Sequence, residues 1–84
     1  MEWEVTEVRV VGDYTLWVRF RDHLEGRVEI LPSFFRGVFE PLRDPAKFRE
    51  VSSPDGFVTW PGELDLAPDA MYDEIKAHGA WVLG

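Results

Sequence analysis

The sequence predicts an α+β domain: a small antiparallel β-meander with further short strands, short helical turns and a C-terminal helix. Three observations predict it. Tyr14, Leu16, Val18 and Phe20 alternate with Thr15, Trp17 and Arg19, the period of a strand with one buried face. The stretch Phe57–Tyr72 reads as a strand, a tight turn and the start of a helix. Hydrophobic residues make up 45% of 84, with four Trp, two Tyr and six Phe, so large side chains fill the core of one domain spanning 1–84.

In chain order, Val5–Val11 is a strand with Val8 and Val10 in phase and Glu7, Arg9 and Val11 on its other face. Gly12-Asp13 turns it into Tyr14–Phe20, forming a hairpin. Arg21–Gly26 is a polar reversal, and Arg27–Leu31, with Val28 and Ile30 in phase, completes a three-stranded meander. Pro32–Gly37 then predicts one helical turn stopped by glycine. Asp44-Pro45-Ala46-Lys47-Phe48 predicts another, with Asp44 as cap and Pro45 at the first position. Between these turns, Val38, Phe39 and Leu42 are expected to anchor an irregular segment in the core.

Val51–Ser53 is a brief strand, and Ser53-Pro54-Asp55-Gly56 is a turn into Phe57–Trp60, where Val58 and Trp60 share a face. Pro61 ends that ladder because it has no N–H to donate, and Leu64 and Leu66 fall back on the core. The last helix is expected over about Pro68–Lys76. Asp65 or Ala67 is its N-cap, Asp65 being the better acceptor, and Met71, Tyr72 and Ile75 form its buried stripe. Lys76 and His78 suit its negative end, and Gly79 closes it. Residues 77–84 form a tail in which Trp81, Val82 and Leu83 add a short strand or pack against a neighbouring copy.

The net charge of −7 is unevenly placed. Residues 1–49 hold nine acids and eight bases, whereas residues 50–84 hold seven acids against Lys76 alone. Acids near a helix start offset its dipole and favour solubility; they also form an acidic face able to dock on a basic partner. Direct binding to nucleic acid is disfavoured, because phosphate contacts need a basic footprint. Without cysteine there is no disulfide, thiolate or Cys-based metal site. No apolar run approaches the ~20 residues of a membrane span. Met1-Glu2-Trp3-Glu4 lacks the basic and apolar blocks of a signal peptide, so the expected location is the cytoplasm.

Read in order, Trp3-x-Val5, Asp13-Tyr14-Thr15-Leu16, Gly37-Val38-Phe39-Glu40-Pro41-Leu42-Arg43-Asp44-Pro45, Trp60-Pro61-Gly62 and Asp65-Leu66-x-Pro68-Asp69-x-Met71-Tyr72 resemble a family of small bacterial domains. It is domain-of-unknown-function family twenty-four forty-two, and the similarity covers about residues 3–74. The resemblance implies a small curved antiparallel sheet with helical cover and no established activity. It also implies relatives fused to helix-turn-helix domains or encoded beside a second small protein, in a toxin–antitoxin-like arrangement. The reversal Asp22–Gly26 departs from the family's short Asp-Gly turn, so a variable loop is expected there.

No catalytic residue, cofactor or metal site is assigned. Ser33, Ser52 and Ser53 lack a nucleophile elbow, and His23 and His78 lie in no recognisable setting. Asp65, Asp69 and Asp73 are four apart and would line one helical face if the helix began early; capping explains them more simply. Asp22, His23 and Glu25 are metal-ligating types within an ordinary polar reversal. Trp17 is out of phase with Leu16 and Val18, and is expected either to meet an internal helix or to present a partner surface.

The leading expectation is a non-catalytic interaction or regulatory module, of which an antitoxin is one form. Trp17, Asp65, Asp69, Asp73 and Glu74 would contact a small basic protein. The terminal apolar residues around Trp3 and Trp81 also suit a homodimer contact. The alternative is a small hydrolase or ligand-binding protein with its site beside the Trp60-Pro61-Gly62 turn and Asp65.

Overall fold

A computed structural model describes residues 1–84. Strands β1 (Val5–Gly12), β2 (Thr15–Phe20) and β3 (Glu25–Ile30) form the expected antiparallel meander. Two 3-10 segments, Pro32–Phe34 and Gly37–Arg43, lead to the single-turn helix α1 (Pro45–Phe48). A separate two-stranded hairpin follows, β4 (Thr59–Trp60) and β5 (Leu64–Asp65), then helix α2 (Pro68–His78) and strand β6 (Ala80–Leu83). The tail thus joins the chain's own sheet. The sheet order is β1-β2-β3-β6, and β6 runs parallel to β3, so the sheet is mixed rather than wholly antiparallel.

Burial is one-sided. Leu16, Val18 and Phe20 are 0% exposed, and Val28 and Ile30 continue their face onto β3. In β1, a register shift between Val5 and Glu7 inverts the side-chain phase, so Val5 and the later Val8 and Val10 all turn towards the core. Helix α2 lays Met71, Tyr72 and Ile75 against this face, the Phe20 and Tyr72 rings meeting edge-on at 5.1 Å. An eleven-residue helix is marginal alone, and burying three such side chains at roughly 1.5–3 kcal/mol each supplies what local propensity does not.

The middle of the chain closes the other end of the core. Asp44 accepts a hydrogen bond from the Ala46 N–H at 2.9 Å, as its capping role requires. Trp60 is buried and donates its indole N–H to the Phe48 carbonyl at 2.8 Å, tying β4 to α1. Tyr14 lies in the β1–β2 turn, not in the strand; its ring still packs on Phe35 and Phe48, and its hydroxyl donates to the Arg43 carbonyl.

Three expectations are corrected. Val38 is 70% exposed and is no core anchor, whereas Leu42 is buried and Phe39 packs on the core. The cause is the 3-10 geometry: at three residues per turn Phe39 and Leu42 share one side, leaving Val38 and Pro41 on another. Asp65 does not cap α2, because it is paired with Thr59 in β5; Ala67 is the N-cap, without a side-chain bond. All helices lie on the core face, so no internal helix meets Trp17.

One contact fastens the β2–β3 reversal to α2. The Tyr72 hydroxyl donates to an Asp22 carboxylate oxygen at 2.5 Å, and the other oxygen accepts from the Leu24 N–H at 3.0 Å. The Tyr72 bond, then the Leu24 amide, hold the Asp22 carboxyl below the ordinary carboxylate range. The same bond, with desolvation, pushes the Tyr72 phenol up to about 12.

Two outcomes follow for stability. At Gly26, which sits beneath the end of α2, an added Cβ would lie 2.9 Å from the Gly79 carbonyl oxygen and collide with the Ile75 side chain. Gly26→Ala should therefore lose about 1–3 kcal/mol in a urea titration. For the Asp22–Tyr72 bond, a lowered carboxyl value means stability present at neutral pH and lost as pH falls below the ordinary 3.8. A raised phenol value means stability lost as pH rises from 10 through about 12. The melting-temperature difference between wild type and Tyr72→Phe should be largest on the plateau between these limits and shrink at both ends.

Candidate functional site

The sheet's outer face is a ladder of charges around one indole. Arg9, Trp17 and Arg27 lie in register across β1, β2 and β3, beside a second row of Glu7, Arg19 and Glu25. The Arg9 and Arg19 guanidinium carbons stand 5.2 and 5.4 Å from the Trp17 ring centroid, within cation–π range. Arg9 Nε donates to Glu7 at 2.6 Å, and Arg19 reaches Glu25 at 3.2 Å and Glu7 at 3.9 Å. The guanidiniums cover the indole where no helix does, leaving Trp17 half-buried. Solvated ion pairs contribute at most about 1 kcal/mol each, so this cover is readily displaced.

The other predicted contact residues lie elsewhere. Asp65 is exposed on β5, Asp69 is in the first turn of α2, and Asp73 and Glu74 are in its second. Asp69 accepts from the Ala70 N–H at 2.9 Å, and Glu74 pairs with His78 at 3.6 Å. Lys76, the one lysine or arginine of α2, lies over the Tyr72 ring at 5.6 Å. Asp65, Asp69 and Asp73 form no ion pair. The structure gathers Asp69, Asp73 and Glu74 on one helix but puts the sheet between them and Trp17, so the predicted set forms two surfaces rather than one.

The spacing of Asp65, Asp69 and Asp73 does not produce a single helical face, since Asp65 belongs to a strand. No three His, Asp or Glu side chains converge to hold a metal ion. In the Asp22-His23-Glu25 reversal, Asp22 is engaged by Tyr72 and Glu25 by Arg19.

Beside Trp60-Pro61-Gly62 lies a cleft of about 510 Å³, within the size range of small-ligand sites. Leu42, Trp60 and Leu64 form its apolar base, and Val38, Pro41 and Pro61 its sides. Lys47 and Glu50 supply the only charges, and Asp65 is not part of its lining. The sequence reading found the Trp60 side of this cleft and missed the opposite wall. The missing signal was the three-residue spacing of Val38 and Pro41, which a 3-10 segment turns to the same side.

No helix is long and apolar enough to cross a membrane. No curated protein and no solved structure gives a match to this chain. Residues 5–77 match the family described as protein of unknown function, DUF2442. The match runs from β1 nearly to the end of α2, and the chain is a member of that family.

Proposed function

We propose that this chain is a non-catalytic interaction module, regulatory or antitoxin-like in role, that binds a small basic protein in the cytoplasm rather than nucleic acid. One observation carries the reading: the uneven pairing of its carboxylates. On the sheet, Glu7 pairs with Arg9 of its own strand and Arg19 of the next, Glu25 pairs with Arg19, and Glu29 alone has no ion pair. Along the carboxyl-terminal part, Asp65, Asp69 and Asp73 are exposed and have no cationic partner within the chain. Such a surface speeds encounter with a basic partner and selects against acidic ones. Trp17, whose guanidinium cover is loosely held, offers a second contact region on the opposite side of the sheet.

A second reading rests on the cleft at Trp60-Pro61-Gly62. Its apolar base and two opposite charges suit a small amphipathic ligand. The single lining carboxylate, Glu50, gives less support to the hydrolase form of this reading, which asks for converging acid and base groups.

The test of the first reading is capture of a partner from the native lysate by the tagged chain, beside a variant carrying Asp65→Lys, Asp69→Asn and Asp73→Lys. Asparagine at 69 keeps an acceptor for the Ala70 amide. The expected result is one stoichiometric basic chain, released by rising ionic strength and at least tenfold depleted with the variant. A folded wild-type bait that retains no such chain defeats the proposal. For the second reading, binding of a small amphipathic molecule should shift the Val38 and Leu64 methyl resonances and leave those of Val11 unmoved.

A further inference from the structure

The two edges of the four-stranded sheet are unlike. β1 is interrupted by register shifts between Val5 and Glu7 and between Val10 and Gly12, and carries Glu7 and Arg9. Bulges and charges of this kind discourage pairing with another chain. β6, at the other edge, reads Ala80-Trp81-Val82-Leu83, with no charge, proline or register shift.

Its hydrogen-bonding groups divide cleanly. The Arg27 N–H donates to the Gly79 carbonyl at 3.4 Å and the Leu31 N–H to the Leu83 carbonyl at 2.7 Å, which sets the phase of the parallel ladder. In that phase the odd-numbered residues of β6 turn their backbone groups to β3, and Ala80 and Val82 turn theirs outward. No backbone bond outside the regular elements uses Ala80 or Val82. Val82 is also 55% exposed.

We infer that the free edge of β6 pairs antiparallel with β6 of a second copy of this chain, making a continuous eight-stranded sheet about a two-fold axis. The edge is self-complementary. With the axis between the two Trp81 residues, Ala80 of one copy lies opposite Val82 of the other. Each such pair exchanges two backbone hydrogen bonds, so the four outward groups on each copy are all satisfied. Trp81, half-buried on the core face, then meets its own symmetry mate as a directly opposed cross-strand pair. A second copy is favoured over a foreign basic chain because β6 is uncharged. It offers a cation nothing, and it adds no like charge of its own between two chains of net charge −7. The strand has four residues, so the dimer is weak and concentration-dependent. This contact is separate from the acidic surface and does not depend on it.

Sedimentation equilibrium on the full chain, from micromolar to millimolar, tests the inference. The average mass should climb from 9.7 kDa towards twice that value. Val82→Pro removes one outward N–H and no bond to β3, so it should hold the chain at monomer mass with an unchanged circular dichroism spectrum. Val82→Glu keeps the backbone and brings like charges onto the edge, beside Glu29 of the neighbouring strand, and should weaken association at least tenfold; it decides the matter alone if the proline variant does not fold. A wild type that stays at 9.7 kDa throughout overturns the inference. So does a dimer that folded Val82→Glu retains undiminished.

Discussion

The constraint on which the structure depends is the one-sided burial of β2. Because Leu16, Val18 and Phe20 are wholly enclosed, every other apolar element must approach from their side of the sheet. Helix α2, the 3-10 segments, α1 and the β4–β5 hairpin all do so. The Trp60–Phe48 hydrogen bond joins the last two of these layers, satisfying the buried indole N–H without a polar side chain in the core. β1 obeys the same constraint through its register shift, without which Val5 would fall in phase with Glu7 and Arg9 and face solvent. The outer face is left to solve its own problem, and arginines laid over Trp17 are its solution.

What was legible in the sequence is what local physics decides. The alternation of β2, the Asp44 cap with Pro45 behind it, and the Pro68 start of α2 each need only a few neighbouring residues. So does its Gly79 end, where φ is +80°. The apolar stripe Met71, Tyr72 and Ile75 was legible for the same reason. The features that were not legible depend on distant partners. Nothing within Ala80–Leu83 says that its neighbour is β3, some fifty residues earlier, or that the two run parallel. Asp65 has the chemistry of a cap, but pairing with Thr59 places it outside the helix. Asp22 looked like part of a polar reversal, and its bond to Tyr72 spans fifty positions.

The candidate surfaces were legible to a similar degree. That Trp17 faces away from the core followed from its phase in β2, but its guanidinium cover required the register that aligns Arg9 with it across the hairpin. The Trp60-Pro61-Gly62 side of the cleft followed from the turn. Its far wall depended on whether Gly37–Arg43 wound with three residues per turn, and the sequence there mixes strand-forming Val38 and Phe39, turn-forming Gly37 and Pro41, and helix-forming Glu40, Leu42 and Arg43.

The carboxyl-terminal acids are the remaining feature that folding does not account for. An acid in the first turn of a helix gains about 0.3–1 kcal/mol from the helix dipole, and Asp69 holds that position. The benefit fades beyond the first turn, so it does not extend to Asp73, and Asp65 stands outside the helix and caps nothing. Solubility requires net charge but not its concentration in one part of the chain. It would be served equally by acids spread over the sheet, where Glu7 and Glu25 have arginine partners. Within the helix, Lys76 lies over the Tyr72 ring and His78 beside Glu74, and neither pairs with Asp69 or Asp73. Asp65 and Asp73 are therefore left as uncompensated charges with no role in cap, dipole or pair, and a cationic surface supplied by another chain is the compensation that the geometry leaves room for.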